Sequence, residues 1–225
     1  MAEPIYQAPS AQGSSTAATA IQGASTAATA YKSPIDFSGL RARNPDVIGW
    51  IKIEGTRINY PIVQGTDNAK YLYTGADGAA STSGAVFLDY ESDPGFDGYN
   101  NIIYAHNMKS GAMFHDLVQF KDKNFFNAHP YITIYTPTRT LRLKVISCYY
   151  AKAEAIYRKT KFTGTADFLS YMDQMISPCA FAEKPPVQVD SLYTLITCSY
   201  EFTDARTFLY AVEVDGSGNV VPAKQ

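Results

Sequence analysis

Leu192-Tyr193-Thr194-Leu195-Ile196-Thr197-Cys198 is a run of apolar, aromatic and β-branched residues with one cysteine at its end, and Arg206 follows eight positions later. Such residues fit a pleated, packed surface, so 192–198 reads as a strand. The polar loop holding Ser199, Glu201 and Asp204 leads into a second strand, 206–214. Paired antiparallel, the two would set the Arg206 guanidinium and the Cys198 thiol at the same sheet end. A thiol attacks carbonyls only as thiolate and needs a cation or a base beside it. Arg206 can supply the charge and His106 the proton chemistry. Taken alone, a single cysteine more often packs as a small inert hydrophobe, and an ordinary ion pair with Asp204 or Glu201 is the preferred reading of Arg206.

Working outward, Val47–Ile53 and Thr56–Val63 read as two strands joined by a turn at Glu54-Gly55. Gly84–Leu88, Asn101–His106, Tyr131–Thr136 and Leu141–Tyr149 are four more, which brings the number to eight. Short strands at this spacing, with few long crossovers, predict a closed or nearly closed, mostly antiparallel β-barrel with a minority of helix. Helices are expected at four places. Ser33 would cap a short one that ends at Asn44-Pro45, Asp67 would cap a turn or two, and Ser110 would cap a helix running to Gln119. Thr165 would cap the clearest, whose Phe168, Leu169, Met172, Met175 and Ile176 follow a 3.6-residue period.

Composition narrows the function. In 225 residues, 46% hydrophobic content is enough for one sizeable core, giving a domain over 33–215 between a low-complexity tail at 1–32 and a short tail at 216–225. Ser-Thr-Ala-Ala-Thr-Ala occurs twice in the first tail, which cannot bury enough apolar surface to offset its ordering entropy. A net charge of −2 without a basic run argues against nucleic acid as a partner. The three cysteines, Cys148, Cys179 and Cys198, cannot all pair within one chain, and their spacing fits no zinc pattern. No metal or cofactor is expected. The sequence contains no run of eighteen apolar residues and no recognisable leader.

Among the histidines, His115 falls inside an expected helix and His129 precedes Pro130 in a turn. His106 instead closes a strand and opens the polar Asn107-Met108-Lys109-Ser110 loop, where a rigid scaffold meets solvent. Cys148 lies within a strand and Cys179 follows a proline, so both read as structural.

Several segments together resemble the sortases, class B in particular. They are Asn44-Pro45-Asp46-Val47-Ile48-Gly49-Trp50-Ile51-Lys52-Ile53, Tyr60-Pro61-Ile62-Val63-Gln64, Phe87-Leu88-Asp89-Tyr90, Ile103-Tyr104-Ala105-His106-Asn107-Met108, and Thr194-Leu195-Ile196-Thr197-Cys198 with Arg206. The resemblance implies the eight-stranded sortase barrel, with an N-terminal helix and a helix in the connection between strands six and seven. It also implies a cysteine transpeptidase of Gram-positive surfaces that cuts a sorting-signal peptide and passes the acyl group to an amine of the cell wall or of a pilin. Such enzymes sit on the extracytoplasmic face of the membrane, usually held by an N-terminal segment that this sequence lacks.

By the same resemblance, Cys198 would be the nucleophile, His106 the acid and base, and Arg206 the substrate and oxyanion ligand. Tyr104, Asn68, Leu72, Thr197 and Ile196 would line the peptide groove. Two departures flank the nucleophile: Ile196, where some class B members have serine, and Ser199, where some have glutamate. Two other readings are a papain-like hydrolase with water as acceptor and a non-enzymatic surface β-domain. The late, strand-borne cysteine argues against the first.

Overall fold

The computed structural model describes residues 31–224, so the expected tail over 1–32 lies outside them except for Tyr31 and Lys32. The strands are β1 (Val47–Lys52), β2 (Asn59–Val63), β3 (Val86–Leu88), β4 (Asn100–Tyr104), β5 (Tyr131–Tyr135), β6 (Thr140–Lys152), β7 (Leu192–Cys198) and β8 (Ala205–Val214). They close into a barrel in the order β1-β2-β3-β4-β7-β8-β6-β5, with β5 returning to β1. The β2–β3 and β4–β7 pairs are parallel and the others antiparallel. All eight expected strands are present with shifted ends, and the barrel is closed and mostly antiparallel as expected.

The unbroken apolar character of β7 follows from burial on both faces. Tyr193 and Leu195 point into the barrel interior among Ile103, Leu143 and Leu209. Leu192 and Ile196 point outward beneath α3 (Thr165–Ile176), with Phe168, Tyr171, Met172, Met175 and Ile176 above them. Each such fully buried side chain contributes about 1.5–3 kcal/mol relative to exposure. β5, covered on one side only, alternates strictly, with Ile132 and Ile134 inward.

The helix starts differ from expectation. α1 (Phe37–Arg43) is capped by Asp36, which accepts from the Gly39 amide at 3.0 Å, while Ser33 bonds only the Ile35 amide. Thr165 is the first helical residue of α3, and Gly164 precedes it without a side-chain cap. Asp67 accepts from the Ala69 and Lys70 amides at 2.8 Å, but the N-cap of the single 3-10 turn that follows, Lys70–Leu72, is Ala69 rather than the expected Asp67.

The helix expected from Ser110 does not form there. Gly111 (φ +85°) and Met113 (φ +59°) are left-handed, so a right-handed helix cannot pass through them. The chain instead enters a 3-10 segment, His115–Lys121, and then α2 (Lys123–Ala128), whose cap Asp122 accepts from the Asn124 and Phe125 amides. Residues 216–224 fold back, with an isolated bridge from Val214 to Val220 and the Lys224 amide donating to Asp190 at 2.7 Å.

Candidate active site

β7 lies between β4 and β8, and that order builds the site. The parallel β4–β7 ladder ends at Tyr104 opposite Ile196, and the Ala105 amide still donates to the Ile196 carbonyl at 3.3 Å. His106 and Cys198 each lie two residues beyond the last pair of that ladder, and both line the same cavity. On the other side, Cys198 stands opposite Arg206 in the antiparallel β7–β8 ladder. A thiol, an imidazole and a guanidinium from three adjacent strand ends thus line one open cavity of about 470 Å³.

Of the cysteines, only Cys198 is partly accessible. Cys148 is enclosed in the core, where burial pushes its thiol well above the ordinary range and keeps it protonated. The His106 ring contacts the Leu72 carbonyl through Nε2 at 2.9 Å. A carbonyl can only accept, so Nε2 carries the hydrogen and, in the neutral ring, Nδ1 keeps the lone pair. The exposed Tyr73 ring lies 6.1 Å from the imidazole.

Arg206 donates through Nη1 to the Ala205 carbonyl at 2.9 Å. Among the described residues it pairs with no carboxylate, so the ordinary ion pair with Asp204 or Glu201 does not occur. Glu201 is engaged by Lys121 and by the Ser199 hydroxyl. Burial pushes the Glu201 carboxyl up, but those two hydrogen bonds outweigh it and hold the group below its usual range. Ser199, next to Cys198, also accepts from Thr207 at 3.1 Å, so side chains tie the β7–β8 turn together.

Tyr104, Asn68, Leu72, Thr197 and Ile196 all line this cavity, and several are tied down. Tyr104 and Asn68 each donate to Oδ2 of Asp89 at 2.8 Å, and Asp89 is only 2% exposed. Burial first, and then the Asp89 charge, push the Tyr104 hydroxyl far above its normal range, so it remains a donor. Leu72 contributes the carbonyl that holds His106, and Ile196 an apolar floor. Thr197 lines the cavity as well, but its hydroxyl is committed to the Ala105 carbonyl at 2.8 Å.

Sequence reasoning missed part of the lining. It comes from the segment after β6, where a 3-10 turn at Ala155–Arg158 presents Tyr157 and Arg158, and from Phe87 and Phe208. Arg158 donates through Nε to the Tyr104 hydroxyl at 3.2 Å and lies 4.0 Å from Asp89. A lone arginine in an irregular segment carries no sequence signal for this. Among the described residues no group of His, Cys, Asp and Glu is placed to hold a metal ion. A half-buried thiol with a base on one side and a cation on the other is equipped for acyl transfer through a covalent intermediate.

Comparison with known proteins points the same way. Residues 51–214 match the sortase domain family. The sequence is 34% identical over 163 residues to the sortase B of Listeria monocytogenes, a match covering 72% of this chain and 66% of that protein's length. Among solved structures, Clostridium perfringens sortase B is 36% identical with a TM-score of 0.74, covering 79% of this chain and 99% of that one. A Staphylococcus aureus sortase B–substrate complex is 27% identical with a TM-score of 0.74, covering 80% and 85%.

Proposed function

The chain belongs to the sortase family, and on that premise we propose that it is a cell-surface cysteine transpeptidase that cuts a sorting-signal peptide at Cys198 and hands the acyl group to an amine. The observation that supports this reading is that Cys198, opposite Arg206 in the β7–β8 ladder, lines one cavity together with Arg206 and His106.

In the first half-reaction the Cys198 sulfur attacks the scissile carbonyl, and the thiol proton passes to His106. Arg206, with no carboxylate to neutralise it, offers N–H donors to the oxygen as it gains charge. The C–N bond breaks, His106 returns the proton to the leaving amine, and a thioester remains on Cys198. In the second, an amine attacks the thioester carbonyl and His106 takes its proton. The C–S bond breaks, the new amide leaves, and the sulfur is reprotonated. The acceptor would be an amine of peptidoglycan or a pilin lysine, and the place of action the outer face of the membrane. No described helix is long and apolar enough to cross a bilayer.

The test is cleavage of a sorting-signal peptide library with and without triglycine, followed by mass spectrometry. The expected results are an acyl adduct on Cys198 and a triglycine-ligated product. Cys198→Ala should give neither while keeping the wild-type fold. A variant that still cleaves overturns the assignment, and a product indifferent to triglycine points to a hydrolase.

A further inference from the structure

Cys198 ends its strand two residues beyond the last pair of the β4–β7 ladder, and its carbonyl has no backbone partner on the β4 side. Asn107 takes that place: its Nδ2 donates to the Cys198 carbonyl at 3.0 Å. The acceptor fixes the amide orientation, because only the NH₂ can face a carbonyl. The Asn107 Oδ1 therefore points the other way, to Nδ1 of His115 at 2.9 Å, and His115 must carry its hydrogen on that nitrogen.

The surrounding backbone closes around this contact. The Phe114 amide donates to the His106 carbonyl at 2.9 Å, Asn107 bridges to Met113, and the Tyr200 hydroxyl donates to the Asn107 carbonyl at 3.2 Å. The left-handed residues Gly111 and Met113 are what turn the chain back to make these bonds. Asn107 thus follows the imidazole-bearing residue in the chain and is hydrogen-bonded to the thiol-bearing one.

We propose that Asn107 and His115 form a positioning pair that sets the separation of the His106 imidazole from the Cys198 thiol. This rests on the reading of Cys198 and His106 as nucleophile and base. His115 touches neither substrate nor reacting atoms; it acts by holding the Asn107 amide in the orientation that lets it grip the Cys198 carbonyl. A loosened grip lets the strand end and the loop drift apart, and small misplacements of reacting groups cost large factors in rate.

The experiment uses the whole chain with His115→Phe, His115→Asn and Asn107→Ala. Phenylalanine keeps the ring volume and removes the donor, whereas asparagine returns an N–H near the Nδ1 position. Two readouts are taken: iodoacetamide alkylation of Cys198, located by mass spectrometry, and steady-state cleavage of a sorting-signal peptide. His115→Phe should slow alkylation and lower kcat about tenfold with KM nearly unchanged, and Asn107→Ala should lower kcat at least as much. His115→Asn should recover most of the loss, and thermal midpoints should stay close to wild type.

The pairing is overturned if His115→Phe alkylates at the wild-type rate, if His115→Asn is as slow as His115→Phe, or if the losses merely track falling thermal midpoints. Failure of the wild-type protein to cleave any peptide strikes the transpeptidase reading instead and leaves the alkylation arm to decide the pairing.

Discussion

The Thr197 hydroxyl donates to the Ala105 carbonyl at 2.8 Å, so the residue before Cys198 is bonded to the residue before His106. Both atoms are buried, with Thr197 only 2% exposed. Thr197→Val keeps the shape and the β preference but leaves that carbonyl without its donor. An unsatisfied buried acceptor costs about 1–3 kcal/mol, and urea unfolding should show a loss in that range. Peptide cleavage should slow as well, because the bond spans the two strand ends that carry the thiol and the imidazole.

Gly84 offers a remote way to disturb His106. Its φ is +58°, and a Cβ there would lie 2.5 Å from the Tyr71 carbonyl oxygen and 2.7 Å from that of Leu72. The Leu72 carbonyl is the one that holds the His106 ring. Gly84→Ala should therefore combine backbone strain of about 1–3 kcal/mol with a displaced imidazole anchor. Thermal unfolding would show the first, and a fall in kcat beyond that of an equally destabilised core variant the second.

Asp89 anchors one wall of the cavity through Tyr104 and Asn68. Asp89→Ala should loosen both side chains, each left with one other hydrogen bond, and raise KM for the donor peptide about tenfold while kcat changes less, since these groups shape the cavity rather than act on the reacting atoms. A variant with unchanged KM and lowered kcat would contradict that assignment.

Arg206→Lys keeps the positive charge but loses the planar fork of donors. Removing an oxyanion donor typically costs about 10²–10³ in kcat, and lysine should recover only a small part of it. Acylation by peptide should fall far more than the thermal midpoint.

At the opposite end of the barrel, Glu213 is half-buried, and burial raises its carboxyl pKa above the ordinary range against a smaller opposing pull from Arg139. A carboxyl with a raised folded-state pKa weakens the fold where it is ionised. Stability should therefore improve as pH falls through the folded-state value toward the unfolded one near 4.5. Glu213→Gln should raise the urea midpoint at pH 7 and lose that advantage near pH 4, as paired denaturation curves at the two pH values would reveal.

What the sequence made legible follows its physics. β7 announced itself because burial on both faces demands seven apolar or β-compatible residues in a row, and α3 because one face of a surface helix repeats every 3.6 residues. Helix starts were harder: Ser33 and Asp36 are both competent caps three residues apart, and only the path of the chain chooses Asp36. α2 escaped because six residues carry too short a period. The loop from Asn107 to His115 escaped because left-handed Met113 has no preference that declares it. Cys198 and Arg206 were legible as the two sides of one hairpin, whereas His106 comes to them through the parallel pairing of β4 with β7, which local sequence does not encode, so recognising it needed the combined motif. Arg158 and Asp89 stayed hidden, one in an irregular segment and the other as an ordinary aspartate whose burial only the fold creates.

The parallel β4–β7 pairing has a kinetic consequence. Its contacts join residues 92 positions apart, as in the Thr197–Ala105 bond, and such distant pairings form late because loop closure must precede any gain from contact. The thiol and the imidazole are therefore strangers on the nascent or partly folded chain. If the proposed mechanism holds, acyl transfer would start only once the barrel is nearly complete, because only then do the two groups share one cavity.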